Sequence, residues 1–73
     1  MPLAQLKGLS GFLSAEQKGE LIRKVTDVIV SVEGEGLRPM TWVILDKVPS
    51  GDWGVGGTAV TTDALKNLSA QGK

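Results

Sequence analysis

The side chains that carry most enzyme chemistry are missing from this chain: its 73 residues include no histidine and no cysteine. Without them there is no Ser-His pair, no thiolate nucleophile and no imidazole base. The commonest metal ligands are absent as well, so no metal and no cofactor is expected. The glycine run Gly54-Val55-Gly56-Gly57 lacks the Lys-Ser/Thr that follows in a phosphate loop and does not open a helix after a strand, so its reading is conformational. Glu33 and Glu35 sit beside glycines in what reads as a solvated loop, which favours a solvent-facing role over acid-base work. One unusual group remains. Pro2 follows the initiator position, and a small second residue permits removal of Met1. The ring nitrogen then becomes a free secondary amine. An α-amino group has a reference pKa of about 7.7–8.0. A prolyl amine starts somewhat higher, and apolar surroundings or a nearby cation disfavour its protonated form and bring it down. Such an amine can act as a general base near neutral pH. Taken alone, a Met-Pro start has an ordinary structural reading, so the elements behind it decide.

Leu3, Ala4 and Leu6 alternate imperfectly with Gln5 and Lys7, which predicts a first strand bounded by Gly8 and Gly11. Ser14-Ala15-Glu16-Gln17 is a capping box, so a helix starts after Ser14. Leu21, Ile22, Val25, Val28, Ile29 and Val32 recur at helical spacing, and Glu20/Lys24 and Arg23/Asp27 stand one turn apart with opposite charge. The half from Val25 to Val32 is crowded with β-branched residues, for which strand is the alternative. Helix is preferred because the cap and charge spacing agree and Gly34 and Gly36 lie where a helix would stop. Thr41 to Val48 reads as a second strand ending at Pro49-Ser50-Gly51-Asp52. Strand, helix, strand implies a parallel pair with a helical crossover. Trp53 to Gly57 reads as a turn or hairpin. Residues 58–73 read as a polar tail in which Thr62 caps a short helix carrying Leu65 and Leu68, with fraying from Ser69 to Lys73. The fold class is therefore α/β: a single domain over residues 1–73 built on one βαβ unit, with a short C-terminal hairpin and tail.

Such a unit does not stand alone. A chain of this size buries only about 60% of its unfolded surface, and scaffolds this small rely on disulfides, a metal or oligomerisation. The first two being disfavoured, the sheet is expected to be completed by other subunits. Lysine plus arginine and aspartate plus glutamate number 8 each, a formal net charge of zero. No nucleic-acid or membrane partner is expected on that balance. No apolar run approaches the roughly 18 residues of a membrane span, and no secretory signal is evident, which makes the cytoplasm the expected compartment.

Three separated blocks now fall into order: Pro2-Leu3-Ala4-Gln5-Leu6, then Glu16-Gln17-Lys18 with Leu21-Ile22-Arg23-Lys24-Val25, then Val43-Ile44 followed by Trp53-Gly54-Val55-Gly56-Gly57. Together they resemble the 4-oxalocrotonate tautomerase family, over positions 2 to 57. The resemblance implies a βαβ subunit of a homohexamer or related assembly, whose amino-terminal proline moves a proton between oxygen and carbon of an enol or α-keto acid. Pro2 corresponds to that proline. Trp53 falls where the family has an aromatic residue in the apolar wall of the site, with an interface or turn anchor as its alternative reading.

The departures concern the substrate. Family members acting on dicarboxylates carry an arginine in the loop before the helix, where this chain has Phe12 and Leu13, and another early in the second strand, where Trp42 stands. A tryptophan cannot replace a bidentate guanidinium electrostatically. Arg38 is the remaining candidate for an anionic group, with a solvated surface arginine as the alternative. The reading is a tautomerase, an isomerase in which Pro2 is the base, backbone amides and Arg38 stabilise the enolate, and a monocarboxylate such as an arylpyruvate-like enol rests against Trp42 and Trp53. Two alternatives keep the fold: a non-catalytic subunit completing a hetero-oligomer with an arginine-bearing homologous chain, and a proline-dependent hydratase or dehalogenase.

Overall fold

The computed structural model describes residues 1–71. The first strand, β1, runs Leu3–Leu9; the helix α1 runs Ala15–Glu33; the second strand, β2, runs Trp42–Val48. β1 and β2 pair in parallel, with Leu3 opposite Trp42, Gln5 opposite Ile44 and Leu9 opposite Val48. The expected strand-helix-strand unit is thus formed, with parallel strands and a helical crossover.

Local chemistry explains α1. Ser14 Oγ accepts from the Gln17 amide (3.1 Å) while Gln17 Oε1 accepts from the Ser14 amide (2.9 Å), closing the capping box. Lys24 and Glu20 pair at 3.3 Å, whereas Asp27 is engaged by Arg38 and not by Arg23 as its spacing suggests. The β-branched half stays helical: Thr26 Oγ1 donates to Ile22 O (2.8 Å) and Ser31 Oγ to Val28 O (2.6 Å), which places both hydroxyls inside the helix's own bonding. The helix stops at Gly34, whose φ of 115° suits a residue without Cβ. A 3₁₀ turn over Glu35–Met40, unsignalled by any periodicity, then carries the chain to β2.

Residues 58–71 are structured: the short helix expected in the polar tail is formed, and a strand that was not expected precedes it. Trp53–Val55 (β3) and Thr58–Val60 (β4) form an antiparallel hairpin in which Val55 pairs with Thr58. Two residues join them, Gly56 (φ 58°) and Gly57 (φ 86°), the doubly left-handed geometry of a type I′ turn, so the glycine run is indeed conformational. A second helix, α2, spans Thr62–Gln71. Its cap is Thr61, whose Oγ1 accepts from the Ala64 amide (3.1 Å). Thr62, expected in that role, sends its hydroxyl to Ser10 O instead (2.7 Å), tying α2 back to the end of β1. Helix persists through Ser69–Gln71, where fraying was expected; Gly72 and Lys73 lie outside the described residues. No helix among the described residues is long and apolar enough to cross a membrane.

The interior is minimal: among the described residues only Leu9 and Val30 are buried apolar residues. α1 covers one sheet face, where Leu6, Leu45 and Lys47 border a hollow with Lys18 and Leu21. The opposite face has no cover in the subunit, and Leu3 (58% exposed) and Trp42 (57%) lie open on it. Gln5 Nε2 donates to Asp46 Oδ2 (2.6 Å) and Lys7 Nζ lies 3.7 Å from the same oxygen, a polar patch beside these apolar side chains. The accessible surface is 5304 Å², against about 4,300 Å² for a globular monomer of this mass. The radius of gyration is 14.7 Å, against about 11 Å for a compact domain of this length. Removing the helix cap by Ser14→Ala should lower stability by about 1 kcal/mol, read as a lower urea midpoint with unchanged slope at fixed protein concentration.

Candidate active site

Pro2 precedes β1 and is half-buried. Its carbonyl accepts from the Trp42 amide (3.0 Å), the first rung of the parallel ladder. Since the ring sets proline's φ, pinning that carbonyl fixes the residue at the end of the sheet. With Met1 attached the Pro2 nitrogen is an amide without basicity; as the first residue it is a secondary amine. Met1 itself is 77% exposed and so open to removal.

Two other candidates share this end. Trp42 supplies the rung. Arg38, in the 3₁₀ turn, accepts from the Thr41 amide at its carbonyl (3.2 Å), one residue before Trp42. Its guanidinium is occupied: Nε and Nη2 donate to Glu35 Oε1 (2.6 Å) and Oε2 (3.3 Å), and Nη1 donates to Asp27 Oδ1 (2.8 Å). These bonds raise the Arg38 pKa further above its ordinary value, Glu35 contributing most and Asp27 next. The bond to Arg38 in turn holds the Glu35 carboxyl below the usual range. Within the subunit Arg38 is therefore a brace between α1 and the turn, and an anionic substrate would have to displace a carboxylate to reach it.

Trp53 lies elsewhere. It opens β3 and lines a cleft of about 470 Å³ with Leu9, Val55, Val60, Leu65 and Leu68, and Lys7 is the single charged residue of the lining among the described residues. Leu9 marks the far end of β1 from Pro2, a separation of roughly 20 Å at the rise of a strand. Pro2 and Trp53 of one chain thus do not share a site. Around the loop where the family has an arginine, Phe12 and Leu13 line a smaller hollow of about 110 Å³ with Lys18 and Lys47. Lys18 titrates below an ordinary lysine, first because the nearby Lys47 ammonium can donate only to its neutral amine, then through desolvation and repulsion by that second charge.

Sequence reasoning missed Leu65 and Leu68 as cleft residues, although their spacing of three on a short helix was the available signal. Lys7 was read only as a strand position; a cation within a strand that otherwise alternates apolar and neutral was the cue.

A proline-headed βαβ subunit with an open sheet face and a glycine hairpin bearing an aromatic residue defines a tautomerase-type domain. The chain belongs to the 4-oxalocrotonate tautomerase family: the family profile described as tautomerase enzyme matches residues 2–63. A probable tautomerase K2 of Dickeya dadantii (strain 3937) is 38% identical over 61 residues, covering 84% of this chain and 90% of that relative. Among solved structures, one from a study of 4-oxalocrotonate tautomerase isozymes of Methylibium petroleiphilum is 34% identical with a TM-score of 0.71, covering 88% of this chain and 97% of its own. Another, from a heterohexamer 4-oxalocrotonate tautomerase of Chloroflexus aurantiacus J-10-fl, is 29% identical with a TM-score of 0.72, covering 89% of this chain and 98% of its own.

The Arg38 brace yields a pH dependence. A carboxyl whose folded pKa is depressed contributes stability that is fully present above its unfolded pKa and is lost as pH falls through the folded value. Thermal melts should therefore fall with acidification from the ordinary glutamate range downward, and Arg38→Gln should flatten that part of the profile. An unchanged acid limb in Arg38→Gln would contradict the brace.

Proposed function

We propose that this protein is a tautomerase whose general base is the amine of Pro2, freed by removal of Met1. The observation that carries the reading is the placement of Pro2: a half-buried proline locked to the Trp42 amide at the edge of a family fold in which no histidine or cysteine is available. In the mechanism, the unprotonated amine takes a proton from an enol hydroxyl or from the carbon beside a carbonyl and returns it elsewhere on the conjugated system, so no net charge or atom is exchanged with solvent. Apolar surroundings keep the amine neutral near pH 7 by penalising its charged form. Backbone amides stabilise the enolate oxygen, because Arg38 is engaged by Glu35 and Asp27.

The substrate is a 2-hydroxy-dienoate or α-keto acid with one carboxylate and an apolar or aromatic body, held against Trp42 and Trp53. The support is the replacement of both clamp positions, by Phe12 and Leu13 in the loop and by Trp42 in β2. Since Pro2 and Trp53 of one chain are at opposite ends of β1, a complete site needs at least two subunits. The open sheet face and the excess surface support an oligomer, a homohexamer or an assembly with a homologous chain. The second of these makes the protein a non-catalytic partner. It is favoured by the missing clamps and by the heterohexameric assembly of the Chloroflexus neighbour.

Intact mass should show Met1 absent from the active protein. Pro2→Ala should lower kcat/KM for ketonisation of phenylenolpyruvate by about 10²–10⁴-fold, and 2-hydroxymuconate should be the poorer substrate of the two. For wild type, kcat/KM should fall as pH drops through the amine's pKa, because protonation removes the base. Equal rates for wild type and Pro2→Ala exclude proline from the mechanism. Turnover by the pure homo-oligomer rejects the non-catalytic reading.

A further inference from the structure

We propose that α2 is a specificity wall of the active site: Leu65 and Leu68 form the apolar surface that receives the aromatic or aliphatic body of a monocarboxylate substrate. This deepens the function proposed above and rests on Trp53 belonging to that site.

Three observations converge on α2. It is anchored where a wall must be: Thr62 Oγ1 donates to Ser10 O (2.7 Å), the Thr62 amide donates to Ser50 Oγ (2.9 Å) and the Gly51 amide donates to Val60 O (3.1 Å). The start of the helix is therefore fixed to the loops that follow β1 and β2, close to Leu9. Gly11 borders this anchor, since a Cβ built on it would meet the Thr62 methyl at 3.9 Å, an ordinary van der Waals contact.

From that anchor, Leu65 and Leu68 stand three residues apart on one helix face and line the same cleft as Trp53. Leu68 is nevertheless 66% exposed. An apolar side chain directed into an open cleft beside a tryptophan has unspent contact area, which an apolar ligand would cover. At about 470 Å³ the cleft has the size of a small-molecule site.

The charge of the lining then selects among ligands. Lys7 is its single cation among the described residues, and that ammonium already lies 3.7 Å from Asp46. One partly neutralised cation in an otherwise apolar cleft suits one carboxylate on an apolar body and leaves the second carboxylate of a dianion unpaired in poorly solvating surroundings. Residues 64–71 also lie beyond the stretch matched by the family profile, so this wall is an addition to the shared domain.

The test separates binding from turnover. Calorimetric titration of the assembled protein with phenylpyruvate, the stable ketone, should show saturable binding, and cis,cis-muconate should bind at least about tenfold more weakly. Leu68→Ala and Leu65→Ala should each weaken phenylpyruvate about tenfold, the loss expected for removing most of one leucine contact, and leave muconate within about twofold. No saturable phenylpyruvate binding by wild type, or equal losses for both acids, overturns the proposal. So does a variant that dissociates by light scattering, because α2 would then be an interface element. Failure of the proline mechanism appears in the rates of Pro2→Ala, while failure of the wall appears in the leucine titrations of the otherwise unaltered protein.

Discussion

The parallel pairing of β1 with β2 is the constraint from which the remaining architecture follows. Parallel strands cannot be joined by a tight turn, so the chain needs α1 as its return path, and α1 covers only one face of a two-stranded sheet. Its other face keeps Leu3 and Trp42 open to solvent, and among the described residues only Leu9 and Val30 are buried apolar ones. A chain so composed gains little from folding alone. Every further subunit that covers the open face or extends the sheet adds the burial that the monomer lacks.

The same geometry distributes the candidate site. One strand separates Pro2 from the Trp53 cleft, so the proposed base and the proposed apolar wall stand at opposite ends of one element. Under that proposal assembly is a condition for chemistry as well as for stability. Within the subunit Arg38 is engaged by Glu35 and Asp27, whereas the Lys7 ammonium, 3.7 Å from Asp46, stays in the cleft lining. What is left facing the cleft is largely hydrocarbon and indole.

Elements with strong local signals were legible in the sequence. The Ser14–Gln17 box fixed the start of α1, and the dense run of strand formers gave β2 within a residue. The β-branched half of α1 was ambiguous because propensity and periodicity disagree there, and the structure sides with periodicity. The 3₁₀ turn over Glu35–Met40 was missed because it is held by hydrogen bonds between near neighbours and by Arg38's reach to Asp27, neither of which leaves a repeat. The C-terminal region was underestimated for a related reason. Thr58–Val60 is a strand because Trp53–Val55 pairs with it, and α2 is placed by Ser10 and Ser50, partners that no short sequence window contains. At the candidate site, the position of Pro2 ahead of β1 was legible, whereas the surrender of Arg38 to two carboxylates depends on how α1 and the turn meet.

The bond from the Trp42 amide to the Pro2 carbonyl also orders events in time. Its two ends are 40 positions apart in the chain, and a ribosome makes the proline first. Until β2 has emerged and α1 has folded back, the amino terminus has no strand to lie against and remains accessible to a processing peptidase. Parallel topology thus delays the locking of Pro2, and under the proposed mechanism trimming of Met1 can proceed both before that bond forms and afterwards, because Met1 stays 77% exposed in the folded subunit.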